Sequence, residues 1–73
     1  MTRLRFMRWV GGSGGHVELA GFATFDAQGR PVHVDDQMRV YDSTWMLDDV
    51  LRRFRPDRVS VAYGDPWFEV IAS

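Results

Sequence analysis

The segment His33-Val34-Asp35 brings together two residue types that could carry acid–base or metal chemistry. Residues two apart in an extended segment point to the same side, so this imidazole and carboxylate could share a proton or a metal ion. A metal site needs a third ligand. The strand register predicted below places the other histidine, His16, more than ~20 Å away. We therefore expect a solvated strand face here, with no metal and no cofactor.

The other carboxylates and hydroxyls form no catalytic pattern. Asp35 and Asp36 point to opposite sides of a strand and cannot share a proton. Asp48 and Asp49 lie early in a predicted helix, where acidic side chains favour the helix dipole. No hydroxyl lies in a nucleophile motif, and the glycine-rich segment lacks the Lys-Ser/Thr of a phosphate-binding loop. We expect a protein that is not an enzyme.

The cations form two clusters that are typical of nucleic-acid binding. All nine are arginine. The first cluster interleaves with Phe6 and Trp9, which mixes charge with stacking surface, and the second lies around the end of the predicted helix. The members are Arg3, Arg5, Arg8, Arg52, Arg53, Arg55 and Arg58. Ten carboxylates and a net charge of −1 oppose this interpretation, because counterion release rewards net positive surface. These arginines are explained more simply as partners of the helix dipole and of carboxylates on neighbouring strands. Nucleic-acid binding is therefore the alternative hypothesis.

Length and composition predict one domain that spans residues 1–73. The chain has 45% hydrophobic residues and no cysteine, so neither disulfides nor thiolate zinc can add to its core. No apolar run approaches the ~18 residues of a membrane span. We expect a cytoplasmic protein, and the absence of lysine is typical of a GC-rich genome.

Residues 11–15, Gly-Gly-Ser-Gly-Gly, carry almost no side chain. They predict a flexible glycine connector between the first and second strands, natural or engineered, or a loop whose backbone approaches something closely. If the connector is engineered, it tethers the strand 2–10 to a domain that normally receives this strand from elsewhere.

Hydrophobic periodicity predicts three antiparallel strands before the helix. Residues 2–10 are extended by composition, and residues 16–25 and 32–40 alternate with period two around a Gly/Pro turn. The register that follows opposes Val17 with Val40, Leu19 with Met38, Ala23 with Val34, and Phe25 with Val32. It also sets Asp36 opposite Gly21, which predicts a bulge or a strand end near Asp35-Asp36.

After residue 45 the period becomes helical. One apolar face holds Leu47, Val50, Leu51 and Phe54, with N-cap candidates at Asp42, Ser43 and Thr44 and a stop at Pro56. Residues 59–63 and 68–72 alternate again and predict a C-terminal hairpin. The expected fold is α+β: an antiparallel sheet in the element order β-β-β-α-β-β, with one helix packed on one face.

A single helix leaves the other face of the sheet uncovered. If Val10 pairs with His16 in a straight ladder, an apolar patch of Leu4, Phe6, Ala20 and Phe22 lies in water beside a charge row that includes Arg8, Glu18 and Arg39. Such patches mark interfaces. We expect a small protein-binding module, such as a phage- or plasmid-encoded inhibitor of a larger host protein, or a homodimer. A first strand shifted by one residue, or a hairpin folded over this side, would remove the patch.

Overall fold

One antiparallel sheet organises the molecule. The computed structural model describes residues 1–41 and 45–73. The elements are β1 (Thr2–Val10), β2 (His16–Phe25), β3 (Pro31–Val34), a 3-10 helix (Asp36–Met38), α1 (Leu47–Arg53), a second 3-10 helix (Arg58–Ser60) and β4 (Trp67–Ala72). The strand order is β3-β2-β1-β4, and every neighbouring pair is antiparallel. The predicted α+β class, with an antiparallel sheet and one helix, is confirmed.

Helix α1 packs against one face of the sheet. Val50 and Phe54 are buried, and the Phe54 ring meets the ring of Phe6 edge-on, with 5.6 Å between centroids. Leu47 packs against the same core, whereas Leu51 is exposed, contrary to the prediction. The helix is only seven residues long, so one narrow stripe makes all its core contacts. The predicted N-caps Asp42, Ser43 and Thr44 lie outside the described residues.

The predicted C-terminal hairpin is wrong in its first strand. Asp57 accepts hydrogen bonds from the backbone N–H groups of Val59 and Ser60, and this side-chain cap holds a 3-10 turn where a strand was expected. Val59 and Tyr63 are exposed. β4 pairs instead with β1, Phe6 opposite Phe68, and forms one edge of the sheet.

β3 is shorter than predicted. Ala23 lies opposite Val34 as expected, but Phe25 lies opposite Pro31 rather than Val32. Of the two alternatives predicted near Asp35-Asp36, a bulge or a strand end, the structure has the strand end. The chain turns into the 3-10 helix, which delivers Met38 to the core from outside the sheet. The predicted pairs of Leu19 with Met38 and of Val17 with Val40 therefore do not form.

A β-bulge divides the β1–β2 ladder. From the hairpin turn to Met7–Leu19 the pairing follows the prediction, but the next pair is Phe6–Gly21, so that β2 carries one extra residue. Gly21 has φ +154°, and a Cβ there would lie 2.7 Å from Met38 Cγ. This close approach requires glycine.

Compared with the straight ladder of the prediction, the bulge changes which side of β1 packs against α1. Leu4 then pairs with Ala23 rather than with Phe22 and faces α1. The core contains Leu4, Phe6, Ala20, Ala23, Phe25, Val34, Met38, Trp45, Val50, Phe54 and Phe68.

Candidate binding surface on the open face of the sheet

The side of the sheet opposite α1, termed here the open face, is largely apolar. Alternation along the strands and the cross-strand pairs place on it the apolar residues Met7, Trp9, Val17, Leu19, Phe22, Trp67 and Ala72 and the polar residues Arg3, Arg5, Thr24, His33 and Glu69. Val17 and Leu19 are 38% and 46% exposed, while Met7, Trp9, Phe22 and Trp67 are half-buried. Of the described helices, the second 3-10 helix places Arg58 over the Trp9 ring, and the side chains of Val17 and Leu19 leave a strip of apolar surface in water.

Two arginines lie on aromatic rings at opposite ends of the open face. The guanidinium carbon of Arg3 lies 4.7 Å from the centroid of the Phe22 ring, and that of Arg58 lies 5.6 Å from the centroid of the Trp9 ring. These are cation–π contacts. Neither guanidinium forms an ion pair with a described carboxylate, whereas Arg5 Nη2 lies 2.6 Å from Glu69 Oε1. The apolar strip therefore has a basic rim.

The glycine segment positions Trp9 at the end of the strip. The indole N–H donates to the carbonyl oxygen of Gly12 at 2.7 Å, and the Gly15 N–H donates to the same oxygen at 3.1 Å. A Cβ on Gly15 would lie 2.0 Å from the carbonyl oxygen of Val10. Residues 11–15 thus join the first two strands through a hydrogen-bonded turn that only glycine permits at Gly15.

The patch predicted from the straight ladder is not exposed. Leu4 and Phe6 are 0% exposed and Ala20 is 4% exposed, because the bulge turns them toward α1. Phe22 alone of the four lies on the open face, under Arg3. An uncovered apolar face exists, but Met7, Trp9, Val17, Leu19 and Trp67 form it together with Phe22.

The predicted charge row lies on the helix side of the sheet. Arg8 Nη2 lies 3.0 Å from Glu18 Oε1, and Arg8 Nη1 donates to the Tyr41 hydroxyl at 3.2 Å. These hydrogen bonds, with that of Tyr41 the stronger influence, raise the pKa of Arg8. Arg39 is separate and lies 3.8 Å from Asp36. Arg8 therefore does not border the open face, and Arg39 does not form a row with it.

Sequence reasoning missed five residues of the open face: Met7, Trp9, Val17, Leu19 and Trp67. The first four were expected beneath the helix. The signal that could have found them is Ala20-Gly21 in the interior of a strand, since a strand glycine often marks a bulge. A bulge predicted in β2, rather than near Asp36, would have assigned Met7, Trp9, Val17 and Leu19 to the face opposite the helix.

The arginines of the nucleic-acid hypothesis do not gather on one surface. Arg3, Arg5 and Arg58 border the open face, and Arg8 lies on the helix side. The rest lie at the end of α1 or just after it: Arg52 pairs with Asp49, Arg53 lies over the Phe54 ring, and Arg55 is exposed.

The side chains of His33 and Asp35 lie on the same side of the chain, as predicted, and 2.7 Å separates Nε2 from Oδ1. The second carboxylate oxygen accepts the Phe22 backbone N–H at 2.9 Å. The hydrogen bond of His33, followed by that of Phe22, lowers the pKa of Asp35. Residues 1–41 and 45–73 contain no group of three or more side chains that could hold a metal ion.

Comparison with known proteins finds no matching family, no matching curated protein and no matching solved structure. None of the helices in the described segments is long and apolar enough to span a membrane.

Proposed function

We propose that this chain is a small, non-enzymatic protein-binding module that acts as an inhibitor or regulator of a larger protein and docks on it through the open face. The observation that carries this proposal is the uncovered apolar strip that runs from Trp9 and Val17 to Trp67. Strips of this kind on small soluble domains mark interaction sites.

The arginine–aromatic contacts favour a protein over a nucleic acid as the partner. The guanidinium groups of Arg3 and Arg58 already lie on the rings of Phe22 and Trp9, the surfaces on which bases would stack. Val17 and Leu19 are aliphatic and suit apolar side chains better than bases. An arginine held on a ring keeps its N–H groups available to carboxylates. The open face therefore suits a protein segment that is apolar at its centre and acidic at its ends.

Selection from a phage-displayed random peptide library on the immobilised protein tests the proposal. We expect the selected peptides to combine apolar and acidic residues. Their binding should be lost with Met7→Glu, which places a charge in the middle of the open face, and retained with Leu51→Glu, which places one on the exposed side of α1. Circular dichroism on both variants confirms folding.

Peptides that bind the two variants equally well would remove the open face as the docking surface. Oligo(dT) binding that weakens steeply with salt and with Arg3→Glu would transfer the proposal to the nucleic-acid alternative.

A further inference from the structure

The edge of β2 from His16 to Leu19, termed here the β2 edge, has no strand beside it in the described part of the chain. β3 pairs with β2 only from Ala23 to Phe25. Next to it, the Gln37 side chain donates to the Ala20 carbonyl oxygen at 2.6 Å. Unpaired edges of this kind accept another strand. We propose that the β2 edge of a second copy of this chain pairs with it in antiparallel orientation, which goes beyond the docking function of the open face.

Charge selects the register of this pairing. A two-fold axis perpendicular to the sheet places residues opposite each other in symmetric pairs. With the axis at Val17, His16 of each copy lies opposite Glu18 of the other. The dimer then contains two pairs of an imidazole and a carboxylate. With the axis at Glu18, the two glutamates oppose each other, which is unfavourable. The β2 edge is therefore self-complementary in the register centred on Val17.

The glycine turn makes space for the same register. With Val17 on the axis, Leu19 of one copy lies opposite Gly15 of the other, and Ala20 lies opposite Gly14. The 3-10 helix that contains Gln37 begins beside Ala20, so the turn of the second copy must pass close to it. A Cβ on Gly14 would meet nothing within 4 Å in the single chain. Packing in the single chain therefore does not require glycine at position 14. In the dimer, the missing side chain leaves room for Ala20 of the second copy.

The pairing unites the open faces of the two copies. A two-fold axis perpendicular to the sheet keeps both faces on the same side, so two four-stranded sheets become one sheet of eight. Val17 of each copy then lies at the centre of a continuous apolar surface. The dimer would present twice the docking surface to a partner.

Sedimentation equilibrium from micromolar to near-millimolar concentrations, with matched charge variants, tests the proposal. We expect a reversible dimer. In the His16→Glu variant a glutamate lies opposite Glu18 at both symmetric positions of the pairing. The dimer should therefore be weaker by roughly tenfold, since each like-charge pair is unfavourable. His16→Arg should preserve or strengthen the dimer. Arg30→Glu, exposed and away from the β2 edge, should leave it unchanged.

Hydrogen exchange gives a second readout that does not depend on variants. Those backbone amides of residues 16–19 that point away from β1, which are every second one, should become more protected as the protein concentration rises, while those of β4 should not change. A chain that stays monomeric at every concentration, or a dimer indifferent to the charge at position 16, overturns the proposal. Met7→Glu lies on β1 and should dimerise normally, so a failure of the docking proposal is distinguishable from a failure of this one.

Discussion

Asp35 is the residue that ties the bulge to the rest of the molecule. One carboxylate oxygen accepts the N–H of Phe22 directly after the bulge, and the other contacts His33. Asp35 also accepts the N–H of Met38 at its backbone carbonyl, which starts the 3-10 helix that covers Gly21. A single residue, through its side chain and its backbone carbonyl, therefore joins β2, β3 and the segment that closes the core.

Replacing Asp35 with alanine should destabilise the fold, because the Phe22 N–H loses its acceptor in a partly buried position. We expect a loss of about 1 to 3 kcal/mol in the free energy of unfolding at neutral pH, measured by urea denaturation. Asp36→Ala is the matched control, since that side chain is fully solvent-exposed and should change stability little.

The effect of Asp35 should depend on pH. Because its pKa is lower in the folded than in the unfolded chain, its contribution is complete above the unfolded value near 3.8 and disappears as the pH falls through the folded value. The stabilities of the wild type and Asp35→Ala should therefore converge in acid. A difference that stays constant from neutral to strongly acidic pH would contradict this role for the carboxylate.

At the scale of elements, the bulge in β2 decides which face of the β1–β2 hairpin is inside. The sequence shows the alternation of apolar residues, and it predicts correctly the β1–β2 pairs nearest the turn, from Val10–His16 to Met7–Leu19. Beyond the bulge, Ala23 and Phe25 face the core as predicted. The one extra residue therefore reverses the assignment of faces along β1 and in the half of β2 nearest the turn, because side chains alternate with period two. Both faces of this hairpin carry apolar residues, so hydrophobic pattern alone could not choose between them.

Two leucine-to-alanine variants measure this exchange directly. Leu4→Ala should destabilise by about 2 to 5 kcal/mol, because it opens a cavity in the core. Leu19→Ala should cost less than about 1 kcal/mol, because nearly half of that side chain is already in water. The straight ladder predicts the reverse order, so thermal or urea unfolding of the pair separates the two registers.

At the scale of the whole molecule, the fold is elongated and has a small core. The Cα atoms extend over 40 × 20 × 18 Å. β4 and β3 flank only part of the long hairpin, whose turn end therefore has no further strand beside it in the described part of the chain. Few core residues and no disulfide leave association as a source of additional stability.

If the dimer forms, thermal stability should depend on concentration, because association acts on the folded state only. Above the dissociation constant, each tenfold increase in protein concentration should raise Tm by roughly 3 to 6 °C. His16→Glu should flatten this dependence at the same concentrations. Scanning calorimetry provides the measurement, and a Tm that does not change with concentration would count against the dimer.

The sequence by itself determined the α+β class, the connection between the first two strands at residues 11–15, the helix near residue 50 and an irregularity near Asp35-Asp36, because periodicity, glycine and proline act locally. It also indicated that one sheet face would stay uncovered. Only the tertiary structure decided which face that is and where the last strand pairs. The bulge at Ala20-Gly21 depends on Met38 and Asp35 arriving from a distant segment, and β4 pairs with β1 across the length of the chain. Such long-range contacts leave little trace in local pattern.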